Sequence, residues 1–378
     1  EWAECVGDLF GLAAAELSDF TIDSDYGVFQ CAGRRQLEQR IKELDAIATL
    51  AAVSRSDLFA DGLKKSVEAP IDAVKNIVED PAESLKQAPK TVGHFFSKVG
   101  NSISNTARRV EERFDEDEEE TDTGEAIADT GKGIGEAAKS AAGFDLAKLD
   151  TARQLGVDPY TDNPRLQEEM EKVTWAFFAG GLPLRVGVAA ASGGASLALT
   201  ATKTVGLPED IYDITPSELA LRDREALESM GTPETTINEI FLNEVLTTSR
   251  RHLIVNSLQH LPAGAGRLTV IELTSGLKEP RQIAFLIHAL KELQARHQLT
   301  PYTELKVFGR LPAGLTADGT LEIAAPVDDV FWTAQVAEFA AREDLSGAKR
   351  RLLLGGRLSP AAAAGFKSSG WEITPRKM

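Results

Sequence analysis

Eight residues near the C-terminus have types and spacings that could do chemistry: Thr274 and Ser275, Asp328 and Asp329, and Gly355, Gly356, Arg357 and Ser359. A Gly-Gly turn feeding Ser359-Pro360 at a helix start would present free backbone N–H groups to an anion. Two adjacent aspartates could hold a divalent metal or the hydroxyls of a ribose. Each feature also has a plainer reading, to which we give precedence. Ser359 is an ordinary N-cap before Pro360, and acids at Asp328 and Asp329 complement the dipole of a helix start.

Other catalytic signatures are missing from the sequence. There is no G-x-S-x-G elbow. The turn after Leu273 has the single Gly276 where a dinucleotide fingerprint needs three glycines. Gly131-Lys132 is followed by Gly133, where a phosphate loop needs Ser or Thr, and no strand pattern precedes it. None of His94, His252, His260, His288 and His297 falls in a metal-ligand spacing. The acidic run Asp115–Asp129 lacks the alternating oxygens and central glycine of a calcium loop. The sequence therefore predicts no catalytic residue, no cofactor and no metal site.

The elements expected to position the eight residues alternate in type. Leu268–Leu273 (LTVIEL) has strand length and β-branched content, and the following run places Ile283, Leu286, Ile287, Leu290 and Leu293 at helical spacing. Then come strands over Glu304–Phe308, Thr320–Ala325, Arg350–Leu354 and Trp371–Thr374, with helices over Val327–Ala341 and from Pro360 to about Ser369. Alternation of this kind predicts a three-layer α/β domain with a mostly parallel sheet, because parallel strands need crossovers. Ligands of such sheets lie beyond the carboxyl ends of the strands. That is where Thr274, Ser275, Arg310, the two aspartates and the Gly355–Ser359 turn would fall.

Upstream, residues 17–31 read as a hairpin, and Leu37, Ile41, Leu44, Ala48 and Ala51 form one apolar helical stripe. Between 66 and 114, Pro70, Pro81 and Pro89 each precede a short helical run. The last of these, over 92–114, is amphipathic with Lys98, Arg108, Arg109 and Arg113 on its polar side, which suits a partner's groove or a membrane surface. Packing on its own domain is the plainer reading. Residues 115–130 hold nine acids and no base, as a solvated linker would. A helix ends at Gly156, and Asp158-Pro159-Tyr160 with Asn163-Pro164 makes a rigid turn before the next, with Tyr160 the side chain it would present for recognition. Val186–Thr202 is apolar over 17 residues but interrupted by Gly193-Gly194, so two short packed helices or a buried hairpin are expected rather than a span. Helices starting at Thr215-Pro216, at Thr232-Pro233 and near Ser249 complete a helical region.

The resulting division is 1–114 (hairpin and proline-punctuated helices), 115–143 (acidic, glycine-rich linker), 144–262 (helical domain) and 263–378 (small α/β domain). The net charge of −17 is concentrated in the linker, while bases outnumber acids from Arg267 onward. That balance argues against nucleic-acid binding. The chain begins Glu1-Trp2 with no initiator Met, and its two cysteines, Cys5 and Cys31, could close one loop as a disulfide in an oxidising compartment or stand equally well as two buried thiols. We therefore expect a non-catalytic scaffold or accessory protein, exported to a periplasm, that joins other protein subunits, with 92–114 as its candidate membrane contact. The competing expectation is a cytoplasmic or exported enzyme, or a binder of anions or nucleotides, using the C-terminal crevice.

Overall fold

The computed structural model describes residues 18–68, 142–187, 207–345 and 349–375. Cys5, the proline-punctuated runs, the 92–114 helix, the acidic run and nearly all of the small-residue stretch lie outside these. Two compact units are present, one of Glu1–Ile41 with Leu219–Met378 and one of Lys42–Glu218.

The first unit opens with an antiparallel hairpin, β1 (Asp19–Ser24) and β2 (Gly27–Ala32), in register from Asp19 opposite Ala32 to Ser24 opposite Gly27. It leads into helix α1 (Arg34–Val53). The expected stripe on α1 is rotated. Ile41 is 48% exposed, whereas Glu43, Ile47 and Leu50 are buried. An acid displaces an isoleucine from the inner face because it finds hydrogen-bond partners there, which hydrophobic periodicity does not register.

In the second unit, helix α2 (Asp57–Glu68), a helix α3 over 142–155 and helix α4 (Pro164–Ala179) carry the core. Asn163 caps α4 by accepting from the N–H groups of Arg165 and Leu166. Its amide donates to Glu43 Oε2 at 2.9 Å, and the Thr161 hydroxyl donates to Glu43 Oε1 at 2.6 Å. The proline-fixed turn thus serves as the seat of a buried carboxylate. Helices α3 and α4 meet through a Thr151–Thr174 hydroxyl pair, a Lys148–Glu171 ion pair and Phe144 set edge-on to Trp175 and Phe178.

The first unit resumes at Leu219, within α5 (Pro216–Ser229), and continues with α6 (Glu234–Leu242), α7 (Thr248–Gln259) and α8 (Ala265–Ser275). Helix α9 (Pro280–Leu299) follows. The expected strand over Leu268–Leu273 is therefore a helix. Its Val270, Ile271 and Thr274 share one buried stripe, and tertiary packing overrides the strand propensity of the run.

Five strands then form one sheet in the order β3 (Tyr302–Phe308), β4 (Leu311–Thr316), β5 (Thr320–Ala325), β7 (Lys349–Leu354) and β9 (Trp371–Pro375). The sheet is mixed. Its β3–β4 and β4–β5 ladders are antiparallel, and only β5–β7 and β7–β9 are parallel. "Mostly parallel" is corrected for two reasons. The first expected strand is helical, and Leu311–Thr316, to which the sequence reading assigns no element, is a strand joined to β3 by a tight turn. The expected helix over Val327–Ala341 also begins late. Asp329–Val330 form a short strand, β6, before helix α10 (Ala334–Ala340). Strand β6 pairs in parallel with β8 (Arg357–Leu358), and helix α11 (Pro360–Ser368) leads to β9.

Candidate functional site

Six of the eight predicted residues come together beyond the carboxyl ends of β5 and β7. Asp329 and Arg357 are opposite each other in the β6–β8 pair, and the Arg357 Nε donates to Asp329 Oδ1 at 2.7 Å. The guanidinium of Arg34 reaches the other Asp329 oxygen at 3.4 Å. Asp328, only 8% exposed, accepts from the backbone N–H of Arg34 at 3.0 Å and from that of Ser18 at 3.3 Å. It therefore occupies the N-terminus of α1, where an anion would sit. Gly356 is in backbone contact with Asp328, and a methyl group there would collide with that residue's carbonyl. Gly355 donates its N–H to the Ala325 carbonyl, Ser359 donates its N–H to the Val330 carbonyl, and the Ser359 hydroxyl caps α11 at Ala362.

The crevice is thus filled by the chain's own hairpin base and first helix. Its polar groups are spent on that docking: Asp328 on backbone donors, Asp329 on two guanidiniums, the glycines on close approach. Thr274 and Ser275 do not join them. They lie at the end of α8, where the Thr274 hydroxyl donates back to the Val270 carbonyl and the Ser275 hydroxyl donates to Glu239. Arg310 sits in the turn between β3 and β4.

A second polar centre was not anticipated. Glu322, in the middle of β5, is fully buried. It accepts from Arg296 of α9 through both Nε (3.1 Å) and Nη2 (2.6 Å), from Arg351 of β7 (2.6 Å) and from the Tyr302 hydroxyl (2.7 Å). Gly314, Glu322, Arg351 and Glu372 lie opposite one another across four strands. Arg351 continues the chain of charges to Glu372 at 2.8 Å, and the Tyr302 ring crosses over Gly314 to reach the acid. Burial is the largest single influence on Glu322 and raises its pKa. The hydrogen bonds from Arg296, Tyr302 and Arg351 outweigh it, and the carboxyl is held below the usual range. Burial, then the bond to Glu322, pushes the Tyr302 phenol well above its usual value. An ionised acid with every oxygen engaged, beside a phenol that does not ionise, is poised to hold a sheet and a helix together rather than to move a proton. The signal was present in the sequence as a lone acid inside the apolar run TLEIAA.

A third cluster ties α5 to α7. Buried Asp223 accepts from Arg251 Nε at 3.2 Å and pairs with His252 Nδ1 at 2.8 Å, while the Arg251 guanidinium lies 4.3 Å over the Phe241 ring. An acid holding an imidazole by Nδ1 is one part of nucleophilic machinery. Here the same acid also neutralises a buried guanidinium. Among the described residues no group of His, Cys, Asp and Glu is arranged to hold a metal ion. No described helix is long and apolar enough to cross a membrane. Cys31 is buried in β2.

Compared with known proteins, the chain matches no family model, no curated protein and no solved structure.

Proposed function

We propose that the chain is a non-catalytic binding protein that scaffolds other protein subunits in a larger, envelope-associated complex. One observation carries the reading. The crevice in which an α/β sheet ordinarily holds a ligand is occupied by Ser18, Arg34 and the start of α1, with Asp328 seated on their N–H groups. The layered part of the protein then serves as a rigid body, and recognition falls to surfaces outside the crevice. Residues 92–114, whose sequence carries Lys98, Arg108, Arg109 and Arg113, are the proposed contact for a partner or for anionic lipid.

Affinity capture of the tagged full-length chain from its source, followed by native mass spectrometry, tests the idea. A protein partner at fixed stoichiometry is expected. Thermal-shift screening of the same material with nucleotides, sugar phosphates and divalent ions gives the opposing outcome. A specific stabiliser whose effect disappears in Arg357→Ala would replace the scaffold reading with a small-ligand one. Export is part of the proposal, and a mass gain of two hydrogen atoms on reduction of the native protein, from a bond between Cys5 and Cys31, is its expected signature.

A further inference from the structure

Helix α8 has the sequence of a strand and covers the edge of a sheet. Its core, Leu268-Thr269-Val270-Ile271, is rich in β-branched residues that are poor helix formers and good strand formers. No side chain caps its N-terminus, no acid lies in its first turn and no base in its last. Two of its hydroxyls bond back to its own carbonyls, Thr269 to Ala265 and Thr274 to Val270. Such back-bonds slightly destabilise helices. Its inner face, at Ile271 and Thr274, lines a small apolar cavity together with Leu227, Ile240, Ile254 and Leu258.

What α8 covers is β3, one of the two edge strands of the five-stranded sheet. The two approach backbone to backbone at Gly266, where a methyl group would collide with the Leu305 carbonyl of β3. An exposed strand edge is a template for adding another strand, and covering it with a helix is one protection. Here the cover itself could complete the template. Residues 268–273, the loop 276–279, α9 and β3 follow one another in the order of a strand-helix-strand unit, and α9 already lies on the sheet through Arg296 and Glu322.

We propose that residues 265–275 form a two-state cover, helical in the resting fold and able to leave that form to pair beside β3 as a sixth, parallel strand. The change requires breaking the Ser275–Glu239 bond at 2.9 Å and the bond from Asn243 Nδ2 to the Leu277 carbonyl at 2.7 Å. It would uncover the apolar faces of α6 and α7 on which Ile271 and Thr274 now pack. The inference goes beyond the scaffold reading and does not depend on it, because it concerns the intact chain without a partner.

Hydrogen exchange of the full-length protein, resolved by peptide, tests it. Segments 265–275 and 302–308 are expected to exchange together and faster than β5 and β7. Thr269→Ala, at an exposed helical position, should slow both segments by about threefold, the helix-propensity difference between the two residues. Gly266→Ala should speed exchange in 302–308 despite the better helix former, because the helix can no longer seat on β3. In that variant a labelled peptide of residues 268–275 should bind, and its N-methylated counterpart should not. Exchange of α8 only with the whole sheet, or slowing of 265–275 by Thr269→Ala without any change in 302–308, would overturn the proposal. Equal binding of the two peptides, or binding of neither, would overturn its strand form. Should Gly266→Ala fail to fold, the Thr269→Ala comparison decides alone.

Discussion

Glu322 and Asp328 are buried acids on the same stretch of chain, and they are satisfied in opposite ways. Glu322 is surrounded by ionised and phenolic side chains from β3, β7 and α9. Asp328 is held by backbone N–H groups at the base of the hairpin and the start of α1. The first arrangement locks strands and a helix through long side chains that themselves need a counter-charge. The second fastens a sequence-distant segment through donors the backbone supplies in any case. A carboxylate on the backbone of a helix N-terminus works chiefly as a hydrogen-bond acceptor, whereas one between two arginines works through its charge.

The largest effect should follow from neutralising the charge-dependent acid. Glu322→Gln leaves Arg296 and Arg351 beside an amide in a buried site, and a loss of about 3–5 kcal/mol in denaturant unfolding is expected, as for other broken buried pairs. The pH dependence carries the same sign. The Glu322 carboxyl titrates below its unfolded value, so its contribution is present above the ordinary glutamate range and lost as pH falls through the lowered pKa. Wild type should destabilise on acidification there, and Glu322→Gln should not show that component.

Asp328→Ala removes the acceptor on α1, and a cost of about 1–2 kcal/mol, typical of a lost cap, is expected. Asp328→Asn should retain most of that, because the amide oxygen still accepts from Arg34 and Ser18. Equal losses for the alanine and asparagine variants would show that charge dominates at Asp328 too, and would erase the contrast with Glu322. Tyr302→Phe should cost about 1 kcal/mol, the net worth of one hydrogen bond, since two arginines still hold the acid.

The smallest effect is expected at an acid shifted in the opposite direction. Burial first, with the nearby Glu171 adding to it and Lys148 opposing, raises the Asp145 carboxyl to about 6. Its folded pKa lies above the unfolded value of 3.8, so stability is greatest below that range and is lost as pH rises towards about 6. Asp145→Asn should raise the melting temperature by about 2 °C at pH 8. It should make no difference at pH 3.

How much of this was legible depended on whether the signal was local. The hairpin, α9, α11 and the strands β3, β5, β7 and β9 follow from residue type and spacing. Pro216, Gly156 and Ser359 mark helix ends wherever they occur, because a missing N–H, a left-handed φ or a short hydroxyl acts on neighbouring backbone. Strand β4, with Pro312 and Gly314 inside it, carries no clear alternation of its own and is held as a strand by partners on both sides. The buried Glu43 and Glu322 were missed because their partners, Thr161, Asn163, Arg296 and Arg351, are far away in the chain.

The sequence by itself determined where most elements lie, that the C-terminal region is an α/β body, and, for six of the eight candidate residues, that they gather beyond its strands. Only the tertiary structure decided that the gathering place is filled by Ser18 and Arg34, and that the strand-like run 268–273 is a helix lying on β3. The physical reason is range. Propensity and periodicity act over a few residues, whereas closing a crevice or choosing helix over strand depends on contacts whose partners no local window contains.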